Sequence, residues 1–153
     1  GGVGLVACCD IAIASEKAKF CLSEVRLGLI PAVISPYVIA AMGERACRRY
    51  FTTAERFDAN EAYRLGLVHQ IVADEEMESA LEQMIDQLMA GGPAAQAAAK
   101  DLILNVSQRE ITDTIIEDTA DRIAHIRASD EGREGLNAFL QKRKPEWDKS
   151  NNV

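Results

Sequence analysis

Glu24 stands in a run of apolar and small residues, with Leu22, Val25, Leu27, Leu29, Ile30 and Pro31 around it in sequence. A carboxylate in apolar surroundings is costly unless water solvates it, a cation pairs with it, or it is held protonated for a purpose. On spacing alone a solvated loop glutamate and a proton-transfer residue both fit. Other chemistry is thinner. Cys8, Cys9, Cys21 and Cys47 form no C-x-x-C pair, and His69 and His125 lie far from them, so a zinc site is not expected. The cysteines read as small buried residues of a reducing compartment. The histidines have no paired nucleophile and read as structural or surface residues. Lys142, Arg143 and Lys144 form a basic cluster that suits phosphate attraction or, equally, a solvated helix end.

The elements that must hold these residues follow from periodicity and punctuation. Gly4–Cys9 is small and apolar and suits a short buried helix. Asp10–Ser15 alternates, and a short strand is expected there and at Ala18–Cys21. Glu24 then falls in a loop broken by Gly28 and Pro31. Ser35-Pro36 is a helix start, with Ser as N-cap and Pro at the first position, and that helix ends at Gly43. A second helix follows from Glu44. Asp58 caps a short helix that Gly66 ends, and Leu67–Val72 reads as a strand. Beyond it the strand signals stop. Met77, Ala80, Leu81, Met84, Ile85 and Leu88 mark an amphipathic helix, with the methionines in the core. Further helices start at Pro93, near Ile111 and at Ser129. Trp147 is expected to pack the tail.

Bulk properties narrow the function classes. The length of 153 residues and 48% hydrophobic content suit one domain with a real core. A net charge of −7 argues against a broad nucleic-acid surface. No apolar run approaches the roughly 18–20 residues that cross a bilayer, and no signal peptide is visible. A cytoplasmic location is expected. The opening Gly-Gly-Val-Gly has no Met and no capping residue, which reads as the interior of a larger protein.

Four stretches, in order, resemble the enoyl-CoA hydratase/isomerase (crotonase) family: GGVGLVACCDIAIAS, AKFCLSEVRLGLIP, FDANEAYRLGLVHQIV and SDEGREGLNAFLQKRKPEW. The resemblance implies an α/β crotonase-like spiral. Residues 1–73 would be the C-terminal part of its β-β-α core, and residues 74–153 a helical trimerisation region contacting coenzyme A. It implies an acyl-CoA thioester substrate, no cofactor beyond the coenzyme A of that substrate, and a homotrimer or dimer of trimers, with neither nucleic acid nor membrane as partner. Gly1 matches the backbone N–H of an oxyanion hole, whose other amide would lie upstream. Glu24 matches the family's second catalytic glutamate, whose apolar neighbours would favour its protonated form.

Gly4 departs from the pattern, because hydratases with two catalytic glutamates carry the first one there. A hydratase relying on Glu24 alone and an isomerase shuttling a proton with Glu24 both remain. A third reading is a non-catalytic fragment that keeps only assembly surfaces. The stretch Ala32-Val33-Ile34-Ser35 after Pro31 is similar to bacterial hydratases of branched unsaturated acyl-CoAs, such as methylglutaconyl-CoA and carboxygeranoyl-CoA. That resemblance implies Leu22, Pro31, Ala32 and Val33 at the substrate and Arg26 as partner of a second carboxylate. It also implies Phe139 and Lys142 at the coenzyme A nucleotide.

Overall fold

The computed structural model describes residues 2–149. The chain divides into two compact units, Gly1–Glu82 and Gln83–Val153. In the first, helix α1 (Gly2–Cys8) leads to strands β1 (Ile13–Ser15) and β2 (Lys19–Phe20). A 3-10 helix at Glu24–Leu27 precedes helices α2 (Ser35–Met42) and α3 (Glu44–Thr53). Strand β3 (Phe57–Asp58), helix α4 (Ala59–Arg64) and strand β4 (Gln70–Val72) follow. A 3-10 turn at Asp74–Glu76 opens α5 (Met77–Met89), which runs from the first unit into the second.

The strands form two small ladders. β1 runs parallel to β4, with Ala14 opposite Ile71. β2 runs antiparallel to β3, with Phe20 opposite Phe57, and their rings stack at 5.5 Å. The first strand is shorter than its alternation predicts, for a local reason. Ala12 donates its N–H to His69 Nδ1 at 3.0 Å instead of to a backbone carbonyl, while its carbonyl accepts the His69 N–H at 2.8 Å. The imidazole thus takes a ladder position, and His69 is structural.

The core of this unit gathers one face from each helix. α3 contributes Cys47 and Tyr50, three residues apart on one face. α2 contributes Val38 and Met42, and the Leu67-Val68 pair closes the other side. Leu22, Val38 and Leu67 are fully buried, each stabilising the fold by roughly 1.5–3 kcal/mol. α2 corrects the expected cap. It starts at Ser35 with Pro36 second, and Ile34 is the N-cap. Ser35 Oγ donates back to the Ala32 carbonyl at 2.9 Å, so it is spent on the preceding turn. Asp58 does cap α4, accepting the Glu61 N–H at 2.9 Å.

The cysteines correct a second expectation. Only Cys47 is buried; Cys8 and Cys9 are exposed and Cys21 is half-buried. In α1 only Val3 and Gly4 are buried, so the cysteines at its end fall off the packed face.

The second unit holds the end of α5 with α6 (Pro93–Val106), α7 (Asp113–Ala128) and α8 (Asp130–Leu140). Thr112 and Ser129 cap α7 and α8 through their hydroxyls. Arg122 on α7 bonds Asp118 on its own helix at 2.7 Å and Asp101 on α6 at 2.5 Å. Trp147 donates its indole N–H to the Ala90 carbonyl at 3.2 Å, which ties the tail down. The core role of the α5 stripe is partial: Met77 and Met84 are half-buried, while Leu81, Ile85 and Leu88 are exposed.

Candidate active site

Glu24 opens a 3-10 helix rather than sitting in an irregular loop. Successive backbone bonds wind this turn: Arg26 N–H to Ser23 O at 3.0 Å, Gly28 N–H to Val25 O at 3.2 Å, and Leu29 N–H to Glu24 O at 3.0 Å. Gly28 ends it at φ 71°, a left-handed conformation that costs other residues roughly 1–2 kcal/mol. The turn is also pinned from outside. The Ala54 carbonyl, at the end of α3, accepts Arg26 Nη2 at 2.7 Å and Cys21 Sγ at 3.4 Å. One arm of the Arg26 guanidinium is therefore committed to backbone, and this arginine anchors the turn that carries Glu24.

Within that anchored turn the Glu24 carboxyl has an unmet need. Its Oε2 is buried and has no hydrogen-bond partner among the described residues. Leaving a buried polar atom unpaired costs about 1–3 kcal/mol, more when it is charged. The apolar residues that follow it in sequence do not enclose it. Leu27, Leu29 and Ile30 are all exposed, and so is Val33, at 87%. This corrects the expected setting: the apolar run is a surface beside the acid.

The remaining expected residues are placed as follows. Leu22, 2% exposed, lies in the core, and Pro31 is buried. Ala32 and Val33 are exposed. Gly1 lies outside the described residues. Phe139 is 79% exposed on α8. Lys142 is exposed with φ 55°, and its N–H bonds the Phe139 carbonyl at 3.1 Å while Arg143 N–H bonds the Ala138 carbonyl at 3.0 Å. These are the two bonds of a Schellman stop, with Lys142 in the position usually held by glycine. The basic cluster is thinner than its sequence. Arg143 binds both carboxylate oxygens of Glu134, at 2.5 and 2.8 Å, and holds that carboxyl below the usual range.

The sequence reading missed a contact between Gly4 and Ile34. A Cβ built on Gly4 would lie 2.8 Å from Ile34 Cβ and closer still to its Cγ2. The clue was present in two places, a glycine inside a helix and an isoleucine just ahead of the Ser35-Pro36 helix start, 30 positions apart in the chain.

Two cavities lie elsewhere. One, of about 480 Å³ in the first unit, is lined by residues including Cys9, Asp10, Tyr37 and His69. The other, of about 600 Å³ between α6 and α7, is lined by Leu102, Arg122 and Ile126 among others. Neither includes Glu24. Among the described residues no group of three or more His, Cys, Asp or Glu is arranged to hold a metal ion.

The Enoyl-CoA hydratase/isomerase family pattern matches residues 1–150. The chain belongs to this family. An enoyl-CoA hydratase from Shewanella pealeana is 52% identical with a TM-score of 0.89, covering 95% of this chain and 54% of that one. Pseudomonas aeruginosa AtuE is 43% identical with a TM-score of 0.91, covering 97% and 57%. The crotonyl-CoA hydratase of Syntrophomonas wolfei is 32% identical over 145 residues, 94% of this chain and 55% of that protein. The chain thus spans about half the length of these relatives. The expected fold class holds: this is the α/β crotonase architecture, represented here by two short ladders and their helices.

Proposed function

We propose that the protein to which this chain belongs hydrates a 2,3-unsaturated acyl-CoA thioester to a 3-hydroxyacyl-CoA, with Glu24 as the acid/base. The observation that carries this is the buried, unpartnered Glu24 Oε2 on a turn pinned by Arg26. Names of family relatives as enoyl-CoA and crotonyl-CoA hydratases support the reaction class.

The chemistry needs one carboxyl group. Glu24 orients a water molecule so that its oxygen bonds C3 as the C2–C3 π pair moves toward the thioester. The negative charge builds on the thioester oxygen, where backbone N–H groups stabilise it; Gly1 is the position that resembles one such donor. Glu24 takes the proton that water releases and delivers a proton to C2. The coenzyme A of the substrate is the only cofactor in this proposal, and Phe139 and Lys142 are its proposed contacts.

The finer assignments rest on sequence resemblance. A branched acyl group, as in methylglutaconyl-CoA, fits the Ala32-Val33-Ile34-Ser35 stretch. A trimeric, cytoplasmic enzyme fits the family pattern. A second reading, double-bond isomerisation with the same glutamate, is favoured by the lack of any side chain at Gly4. The product separates the two: a branched 2-enoyl-CoA given to the full-length protein yields a 3-hydroxyacyl-CoA. A product with only a shifted double bond would sink the hydratase.

A further inference from the structure

Glu24 opens a four-residue 3-10 helix, and the residue before it, Ser23, makes no side-chain cap bond. Turns of this kind have poor hydrogen-bond geometry and stay short. Glu24 Oε2 has no partner among the described residues, so no bond to that oxygen fixes the carboxyl. A carbonyl from another element holds the turn on both sides. Ala54 O accepts Cys21 Sγ at 3.4 Å and Arg26 Nη2 at 2.7 Å, one bond from each side of Glu24 in sequence. Ala54 is fully buried and ends α3 in the left-handed region, at φ 50°. An alanine keeps that conformation only where its surroundings over-determine it. Both of its chain neighbours are tied to Arg49, earlier on α3. Thr53 Oγ1 donates to the Arg49 carbonyl at 2.9 Å and accepts the Glu55 N–H at 3.3 Å. Arg49 in turn donates to both carboxylate oxygens of Glu55, at 2.6 and 2.9 Å.

Resting on the proposed role of Glu24, we infer that Arg26 is a positioning residue for the reaction, acting through the Ala54 carbonyl, and that Glu55 sets where that carbonyl lies. Arg26 then needs no contact with substrate. Its guanidinium draws the turn onto the end of α3 and so fixes the place of the Glu24 carboxyl relative to the reacting carbons. Misplacing a catalytic group by about 1 Å can cost roughly a hundredfold in rate. The Arg49–Glu55 pair is open to solvent, with side chains 59% and 36% exposed, and such pairs add little stability. Its effect is expected in kcat instead.

The test uses the full-length protein, a branched 2-enoyl-CoA as substrate, and two saturated probes, a plain acyl-CoA and one ending in a carboxylate. Arg26→Met keeps the apolar stem and removes the donor. It is expected to lower kcat by about 10–100-fold and to leave both calorimetric affinities within about twofold. Amide exchange should quicken at Arg26, Gly28 and Leu29, whose N–H bonds wind the turn. Glu55→Ala lowers kcat severalfold. The double variant is no slower than Arg26→Met alone, because both changes act through one carbonyl. An unchanged kcat or unchanged exchange in Arg26→Met overturns the inference. So does a selective loss of affinity for the carboxylate-bearing probe, which makes Arg26 a substrate contact. Losses that multiply in the double variant overturn the part given to Glu55. If Arg26→Met does not fold, Glu55→Ala decides alone, and unchanged kcat and exchange there overturn the inference. Exchange that quickens in Arg26→Met while Glu24→Gln keeps full turnover counts instead against the proposed role of Glu24.

Discussion

Glu24 shows how far a single residue type carries an argument. The sequence raised the question of an acid among apolar neighbours. The fold answered with an unpaired oxygen held on an anchored turn, while the neighbours themselves face outward. Replacing it with Gln keeps the shape and removes the proposed proton transfer. In the full-length protein Glu24→Gln should lower kcat by about 10²–10⁴ and leave the affinity for a saturated acyl-CoA nearly unchanged. Retained turnover in a product assay would remove Glu24 from the mechanism. Lys142 offers a prediction with two signs. Its left-handed backbone favours glycine, so Lys142→Gly should raise stability by about 1 kcal/mol in thermal unfolding. The same change removes a cation proposed to meet the coenzyme A nucleotide and should weaken CoA-thioester binding in calorimetry. A variant that gains stability with no loss of affinity would leave Lys142 a purely structural stop.

At the scale of elements, local signals were legible and long-range ones were not. Asp58 and Ser129 announce their helices because each cap bonds an N–H only a few residues on, and Thr112 caps α7 in the same local way. The start of α6 is different. Gly92 has no capping side chain, and Glu131 on α8 accepts the N–H groups of Ala94 at 3.0 Å and Ala95 at 2.7 Å. No local window reveals an acceptor supplied from another helix. Glu131→Ala should cost about 1–2 kcal/mol of stability in urea unfolding, against a negligible loss for the exposed Glu78→Ala. A polar cluster joins α3 to α4 in the same hidden way. Glu61 accepts the Tyr50 hydroxyl at 2.7 Å and two arms of Arg64. Arg64, then the Tyr50 hydroxyl, hold its carboxyl down at about 2. Its folded value lies below its unfolded one, so its stabilisation is full at neutral pH. It is lost as pH falls from the ordinary carboxylate range toward 2. Glu61→Gln should therefore unfold at lower temperature than wild type at pH 7, with the gap closing near pH 2. A constant gap across that range would contradict the linkage.

For the molecule as a whole, exposed apolar surface is the dominant feature. Leu5, Leu27, Ile30 and Val33 in the first unit, and Leu104, Ile111, Phe139 and Leu140 in the second, are large, apolar and exposed. Surface of this kind associates with something. The 153-residue chain produced alone should bind a hydrophobic dye and sediment heavier than a monomer; a monodisperse monomer without dye binding would contradict this. By itself the sequence determined the order of the helices and of three of the four strands, most helix limits and the family, because periodicity, caps and short ordered motifs are local and survive without coordinates. The proposal that Glu24 is the acid starts from the same short motifs. Only the tertiary structure decided which residues meet. Arg26 is held by Ala54, the Ala12 N–H by His69, and the space above Gly4 by Ile34. These contacts join residues 28, 57 and 30 positions apart. Whether such residues touch is set by how packed elements approach, and no local pattern encodes that distance.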